Sequence, residues 1–291
     1  MLRPFLQVKY VDSIKELHKE SLEFLELLRT DSHDTAEICK FLAKNNKASN
    51  AIKGGVYSRT VVAIDATGSM SQTLDACKRT VMKMFEEAYK TLTAARKSGA
   101  FEMQICFYRN YSSRDDILLT STWESEPANI AAFVGQVHVA GGQGNEAIEV
   151  AFQHVNSLKD VTQVILIGDI GPNTVAEMQS KRLGCRHDWS KTPFATATNS
   201  DAEVAKLAAA HIPVHAFWVC RSAESAFQRI ASQTGGQSRE LDISSSEGAG
   251  MLKQLVVSAV LRDIGTRQGG SAAGGEELVR AYERLFGYGH I

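Results

Sequence analysis

Two apolar stretches, VVAI at 61–64 and VILI at 164–167, contain no charged residue, and an aspartate follows each of them within two positions. Continuous runs of this kind, rich in valine and isoleucine, are typical of strands buried on both faces of a sheet. Longer segments with apolar residues at spacings of three and four lie between such runs and indicate helices. The alternation predicts an α/β fold: a doubly wound, mostly parallel sheet with helices on both faces.

The same patterns predict the individual elements. Strands are expected at 59–66, 101–109, 116–122, 162–169, 212–220 and 238–243, and helices at 72–98, 128–137, 145–158, 223–236 and 246–263. The stretch between 170 and 211 is mixed in character, and no element is assigned to it. These elements define a domain over 56–263.

Two further segments flank this domain. Residues 1–55 are expected to form an N-terminal helical extension that ends in the polar, glycine-ended stretch 45–55. Residues 264–291 are expected to form a flexible, glycine-rich linker, at 265–277, followed by a helical tail. The tail is either a segment that docks as a helix in a groove of another protein or a frayed end.

Composition narrows the possible partners and the compartment. Of the 291 residues, 44% are hydrophobic and 22% charged, with a formal net charge of -1 and no purely basic block, which argues against nucleic acid or a membrane surface as the main partner. No apolar run approaches the roughly 20 residues of a membrane span, and the charged N-terminus does not resemble a signal peptide. Five widely spaced cysteines without a CxxC pair indicate reduced thiols. We therefore expect a cytoplasmic protein.

Polar oxygens cluster where the two apolar strands end. Asp65, Thr67 and Ser69 follow the first strand at alternate positions, and Asp169 follows the second. Because parallel strands present their carboxyl ends at one edge of a sheet, these side chains are expected to meet there. Several hard oxygens suit Mg²⁺ or Mn²⁺ better than Ca²⁺. The alternative is that the hydroxyls only cap the following helix.

The D-x-T-x-S spacing of DATGSMS resembles the metal-ion-dependent adhesion site of von Willebrand factor type A domains. Three other segments carry the resemblance across 58–262: QVILIGDIGPN, AGGQGNEAIEVAF and AFQRIASQTGGQSREL. They are similar to the strand bearing the second aspartate of that family, to its central loop, and to its last helix and strand. The closest similarity is to the intracellular branch, which includes domains linked to alpha-type kinases.

The resemblance implies a set of metal ligands. Thr67 and Ser69 would coordinate the metal through their hydroxyls, and Asp65 and Asp169 would hold it through water. Where the family has a threonine or an aspartate in the central loop, this chain has Gln143, whose amide oxygen is the replacement candidate. A carboxylate from a protein partner would complete the coordination sphere.

Glu146 is a weaker candidate for the same role, because we expect it to begin the helix over 145–158.

The resulting functional hypothesis is a divalent-metal-dependent protein-binding module, not an enzyme, that acts as an intracellular adaptor or scaffold subunit. The resemblance implies partners such as a kinase-type protein or a ring ATPase. Two alternatives stay open: a Mg²⁺-dependent hydrolase or phosphotransferase with Asp65 as its nucleophile, and a metal-free scaffold that binds through its helical extensions. A second aspartate two positions after the nucleophile would favour the hydrolase, but Thr67 occupies that position.

Overall fold

The structure is a computed structural model that describes residues 58–97, 101–142, 144–242, 246–269 and 272–288. The predicted N-terminal extension, 1–55, lies outside the described residues and stays a prediction. None of the helices in these ranges combines the length and the apolar character that crossing a membrane requires.

Within these ranges, six strands form one sheet in the order β3-β2-β1-β4-β5-β6. The strands are β1 (Ser58–Asp65), β2 (Phe101–Tyr108), β3 (Leu118–Thr120), β4 (Gln163–Gly168), β5 (Val214–Trp218) and β6 (Ser238–Glu240). Every neighbouring pair is parallel except β2 and β3, which are antiparallel. The mostly parallel sheet is therefore confirmed.

Helices cover both faces of the sheet. They are α1 (Leu74–Ala94), α2 (Pro127–Gln136), α3 (Ile148–Ser157), α4 (Val175–Gly184), α5 (Ser200–Ala209), α6 (Glu224–Thr234), α7 (Ser246–Gly269) and α8 (Ala272–Phe286). Alternate residues of β1 point to opposite faces: Val62 and Ile64 pack with α1, α2, α7 and α8, whereas Val61 and Ala63 pack with α3, α5 and α6. Burial on both faces explains why the central strands are apolar throughout, and it confirms the doubly wound architecture.

The glycine-rich segment near the C-terminus differs from its prediction. Residues 265–269 and 272–277, which we expected to be a flexible linker, belong to α7 and α8. A Cβ atom on Gly265 would lie 2.3 Å from the carbonyl oxygen of Gly274, and one on Gly275 would lie 2.8 Å from that of Arg262. The glycines thus allow two helix backbones to approach closely, which no larger residue permits.

Helix α8 also packs on α1. Leu278, Val279 and Tyr282 of α8 are buried in the same core as α1. The Tyr282 hydroxyl donates a hydrogen bond of 2.9 Å to Oε2 of Glu87 on α1, and Lys253 Nζ of α7 lies 2.6 Å from Oε1 of the same carboxylate. One buried carboxylate therefore ties three helices together.

Candidate metal centre

The two predicted aspartates follow neighbouring strands at the centre of the sheet. Residues Ile64 and Ile167 are paired in the β1–β4 ladder, so Asp65 ends β1 beside Gly168, and Asp169 follows directly. After β1 the chain adds β2 and β3 on one side of it, and then β4, β5 and β6 on the other side. The strand order therefore reverses between β1 and β4. Crevices at such points are the usual ligand sites of open α/β sheets.

Gly168 permits the close approach of the two strand ends. A Cβ atom at this position would lie 2.4 Å from the Tyr108 hydroxyl oxygen and 3.4 Å from Cβ of Asp65. The Tyr108 hydroxyl itself donates to the carbonyl oxygen of Ile167 at 3.3 Å. The missing side chain leaves room for Asp65 beside β4.

The loop after β1 folds back onto the Asp65 carboxylate. Its Oδ1 atom accepts hydrogen bonds from the backbone N–H of Thr67, at 2.8 Å, and from the Thr67 hydroxyl, at 2.7 Å. The Thr67 and Ser69 hydroxyl oxygens are 3.1 Å apart. A short 3₁₀ turn, Gly68–Gln72, follows before α1 begins. Asp65, Thr67 and Ser69 therefore lie together, with Asp65 and Thr67 buried and Ser69 exposed.

The hydroxyls of Thr67 and Ser69 do not cap this turn or α1. Thr67 is at the N-cap position of the turn and Thr73 at that of α1, and neither side chain makes a capping hydrogen bond. The bonds that Thr67 does make run to Asp65 and Ser69. Helix capping, the simpler interpretation of the motif, therefore does not account for these residues.

Asp65 is a buried carboxylate whose pKa is raised. Burial raises the pKa of Asp65 to about 7, and the charge of Asp169 adds to the rise, against the opposing hydrogen bonds from Thr67. Oδ2 of Asp65 and Oδ1 of Asp169 are buried without a hydrogen-bond partner among the described residues. Unpartnered buried carboxylate oxygens are costly unless a cation or a proton offsets the charge.

The central loop lies against the Asp65 loop. The N–H of Gly68 donates to the carbonyl oxygen of Gly141 at 3.0 Å. Gly142 has φ +92°, and a Cβ atom there would lie 2.7 Å from Cβ of Thr67 and 2.9 Å from Oε1 of Glu146. Gln143, the predicted loop ligand, is outside the described residues, so its role stays a prediction.

Glu146 occupies a different position from the one we expected. Helix α3 begins at Ile148, and Glu146 precedes it in a short bridge to Pro172. It is buried, and its Oε2 has no partner within the described part of the chain. Burial raises its pKa to about 8, the charge of Asp65 adds to the rise, and the charge of Lys181 opposes it. Glu146 is thus a third acidic group at this edge of the sheet.

A buried polar network behind the central loop was not predicted. Oε1 of Glu149 accepts from the Tyr111 hydroxyl at 2.9 Å and from Nδ2 of Asn173 at 3.2 Å. Lys181 Nζ donates to the Asn145 carbonyl oxygen and to Oδ1 of Asn173, at 2.5 and 2.7 Å. Burial raises the pKa of Glu149 to about 7, and the hydrogen bonds from Asn173 and Tyr111 oppose the rise. The network holds the central loop against the segment that follows Asp169.

Comparison with solved structures finds similar folds at low sequence identity. A von Willebrand factor type A protein from Catenulispora acidiphila is 16% identical and matches 72% of this chain and 43% of its own, with a TM-score of 0.46. The pilus adhesin SpaC from Lactobacillus rhamnosus GG, in an open conformation, is 11% identical over 73% of this chain and 31% of its own, with a TM-score of 0.48. A further form of SpaC is 10% identical with the same coverage and a TM-score of 0.51.

The chain has a von Willebrand factor type A-like fold. It spans less than half of the length of each of these structures. No protein-family model and no curated protein matches the sequence. At these identities the similarity concerns the fold alone, so the intracellular branch of the family stays a prediction.

The donor set of this vWA-like domain has a specific chemistry. Among the described residues, no three His, Cys, Asp or Glu side chains form a group that could hold a metal ion by themselves. The candidate centre instead combines two hydroxyl oxygens with carboxylates. The hydroxyls add no negative charge, so only the carboxylates of the site would neutralise a bound cation.

Proposed function

We propose that the vWA-like domain binds a protein partner through a divalent cation held at the rim of the sheet, and that it works as an adaptor and not as an enzyme. One observation carries the proposal. Asp65 and Asp169 converge at the switch point of the sheet with unpartnered buried oxygens, beside the paired hydroxyls of Thr67 and Ser69. A cation there would offset the charge of Asp65, which the fold buries at a cost, and would also attract the half-buried Asp169.

The spacing of the hydroxyls is compatible with two ligands of one small divalent cation. Adjacent ligands of an octahedral ion such as Mg²⁺, with bonds of about 2.1 Å, are separated by about 3.0 Å. The Thr67 and Ser69 oxygens are 3.1 Å apart. The Thr67 hydroxyl uses its proton in the bond to Asp65, so it accepts the bond from Ser69 and keeps one lone pair for a cation.

The remaining residues have complementary roles in the proposal. Asp65 and Asp169 supply negative charge, directly or through water, and Gln143 supplies an amide oxygen from the central loop. The open coordination position takes a carboxylate of the partner. Kinase-type proteins and ring ATPases are the partner classes that follow from the family resemblance.

The position of Asp65 argues against the hydrolase alternative. Its side chain is fully buried, and Oδ1 is occupied by two hydrogen bonds from Thr67. A carboxylate nucleophile needs access to the phosphorus atom of its substrate. The Asp65 environment suits an anion that holds a cation.

Calorimetric titration with MgCl₂ and MnCl₂ tests the metal. Asp65→Asn removes the charge but keeps an oxygen that accepts from Thr67. Asp201→Asn, at an exposed position of α5, is the matched control. We expect binding heat with the native chain and with the control, and a loss of affinity of at least tenfold with Asp65→Asn. Equal heats from all three chains would contradict the assignment of the site.

Capture of protein partners on the immobilised chain tests the second half of the proposal. A partner retained in Mg²⁺ should be lost in EDTA and lost with Asp65→Asn, because both remove the cation. A partner that is retained under all three conditions would support the metal-free scaffold instead.

A further inference from the structure

We propose that a basic pocket beside the metal centre binds the phosphate group of a phosphorylated side chain on the protein partner. The protein origin of the phosphate group rests on the proposed function. The binding of phosphate by the pocket does not depend on that function.

The pocket has a volume of about 520 Å³ and lies between three segments of the chain. The segment after β2 supplies Ser112 and Arg114, the central loop supplies Gly141 and Gly142, and the end of α4 and its following turn supply further residues, including Lys181 and Arg186. Gly142 contacts Thr67 on its other side. The pocket and the metal centre therefore share one loop.

All the charged residues that line the pocket are basic: Arg114, Lys181 and Arg186. The nearby aspartates are directed to other groups, since Asp115 lies 3.2 Å from the His187 ring and Asp116 lies 4.0 Å from Arg109. The lining is therefore basic, whereas the chain as a whole has a net charge of -1.

Arg114 and Arg186 are available to a ligand. Both are exposed, and within the described part of the chain their side chains make no hydrogen bond or ion pair. Lys181 is held in place by its bonds to the Asn145 carbonyl oxygen and to Asn173. The pocket thus combines one fixed cation with two guanidinium groups that are able to close on an anion.

The backbone at both arginines is strained. Arg114 has φ +53° and ψ −118°, the conformation that glycine adopts at the first central position of a type II′ turn, and Arg186 has φ +52°. Side chains other than glycine rarely adopt such angles, and residues that do so concentrate at functional sites. Arg96, Asp160 and His211 have φ values of +55° to +59° elsewhere in the chain, and Arg186 follows the end of α4, so the turn at Arg114, with ψ −118°, is the unusual one.

The chemistry of the lining favours phosphate over other anions. A phosphate monoester carries a charge of about −1.5 to −2 and three acceptor oxygens, which matches three cations better than a single carboxylate does. Ser112 adds a hydroxyl, and it lies near Gly141, where a Cβ atom would be 3.0 Å from its oxygen. No aromatic side chain among the described residues lines the pocket, so there is no surface on which a nucleic-acid base would stack.

A nuclear magnetic resonance titration of the full chain tests the proposal, with EDTA present so that no metal contributes. The probes are inorganic phosphate, N-acetyl-O-phosphoserine amide and N-acetylglutamate amide. The native chain should bind phosphate and phosphoserine, with shifts of the Gly141 and Gly142 amide signals, at least tenfold more tightly than glutamate. Equal affinity for glutamate would overturn the assignment to phosphate.

The decisive variant is Arg114→Gln with Arg186→Gln, and the control is Arg79→Gln with Arg280→Gln, which removes two exposed charges from helices elsewhere. The pocket variant should lose at least tenfold in phosphoserine affinity and the control less than twofold. Arg114→Gly with Arg186→Gly should lose the same affinity without a lower Tm, because glycine suits both backbone conformations. Equal loss in pocket and control variants would overturn the proposal.

Two further measurements distinguish the phosphate pocket from the metal centre and from a nucleic-acid site. Asp65→Asn should bind phosphoserine like the native chain, so failure of the metal centre and failure of the pocket are distinguishable. A single-stranded oligonucleotide should bind more weakly than phosphoserine. Tighter binding that depends on Arg114 and Arg186 would replace the protein partner with a nucleic acid.

Discussion

Substitution of Asp65 by asparagine should stabilise the metal-free protein by an amount that grows as the pH rises from about 4 to 7. The pKa of this carboxyl is raised from 3.8 to about 7 by burial and by Asp169. A folded-state pKa above the unfolded value means that the folded protein binds the proton more tightly. The free energy of unfolding of the native chain therefore falls as pH rises from about 4 to 7, whereas that of Asp65→Asn lacks this loss.

The expected difference follows from that pKa. Each pKa unit corresponds to about 1.4 kcal/mol, so the ionised Asp65 costs the folded protein on the order of 4 kcal/mol above pH 7. At pH 4 the carboxyl is largely protonated in the folded protein, and the native chain and Asp65→Asn should differ little. Asparagine keeps an acceptor for the two bonds from Thr67, so the comparison isolates the charge.

Urea unfolding in EDTA at pH 4.5 and pH 8 measures this effect. All three tryptophans, Trp123, Trp189 and Trp218, lie in the vWA-like domain, so their fluorescence reports on its unfolding. Adding Mg²⁺ at pH 8 should stabilise the native chain and leave Asp65→Asn unchanged. A stabilisation by Asp65→Asn that is equal at both pH values would refute the reasoning, because it would not come from the ionised carboxyl.

Four further single substitutions have expected outcomes that thermal or urea unfolding would check. Gly168→Ala should cost roughly 1–3 kcal/mol, since its Cβ would lie 2.4 Å from the Tyr108 hydroxyl, and Tyr108→Phe in the same chain should recover part of the loss. Gly265→Ala should cost a similar amount by pushing α8 from α7, whereas Gly250→Ala, with no atom within 4 Å, should stabilise α7 by about 0.5–1 kcal/mol. Glu146→Gln should raise the free energy of unfolding increasingly between pH 4.5 and 8, because burial raises the pKa of that carboxyl to about 8.

The sheet could be predicted from sequence because its central strands are buried on both faces. β1 and β4 are apolar throughout for that reason, and the rule that parallel strands end at one edge then places Asp65 and Asp169 together. The loop after β1 could be predicted equally well, because its hydroxyl residues fall at alternate positions of the sequence. These inferences depend only on local pattern and on strand direction.

Helices without an apolar stripe could not be predicted in the same way. α4 buries only Met178, so its sequence has little helical periodicity. The signals that could have found α4 and α5 are their starts: the capping box of Thr174 and Glu177, and the N-cap residue Asn199. The glycines of α7 and α8 were interpreted as a linker because composition does not distinguish flexibility from close helix packing. That distinction requires the packing of α7 on α8, which the sequence alone does not show.

The acidic residues of the site show the same limit. Glu146 lies between a glycine-rich loop and a helix. We expected it to begin that helix and therefore ranked it below Gln143 as a ligand, but the helix begins two residues later, at Ile148. Its proximity to Asp65 depends on the path of the loop through Gly142. Glu149 is a charged residue in a helix, which normally indicates a surface position. Its burial becomes evident only from the tertiary contacts with Tyr111 and Asn173.

The packing of α8 on α1 has a practical consequence for anyone who expresses the domain alone. A fragment that stops at residue 263, where the strand and helix pattern ends, would expose to water the apolar surface that Leu278, Val279 and Tyr282 normally cover. It would also remove the hydrogen bond from Tyr282 to Glu87 and leave only the ion pair of Glu87 with Lys253 among these two contacts. Such a fragment should be poorly soluble, and extending it to residue 288 should restore solubility.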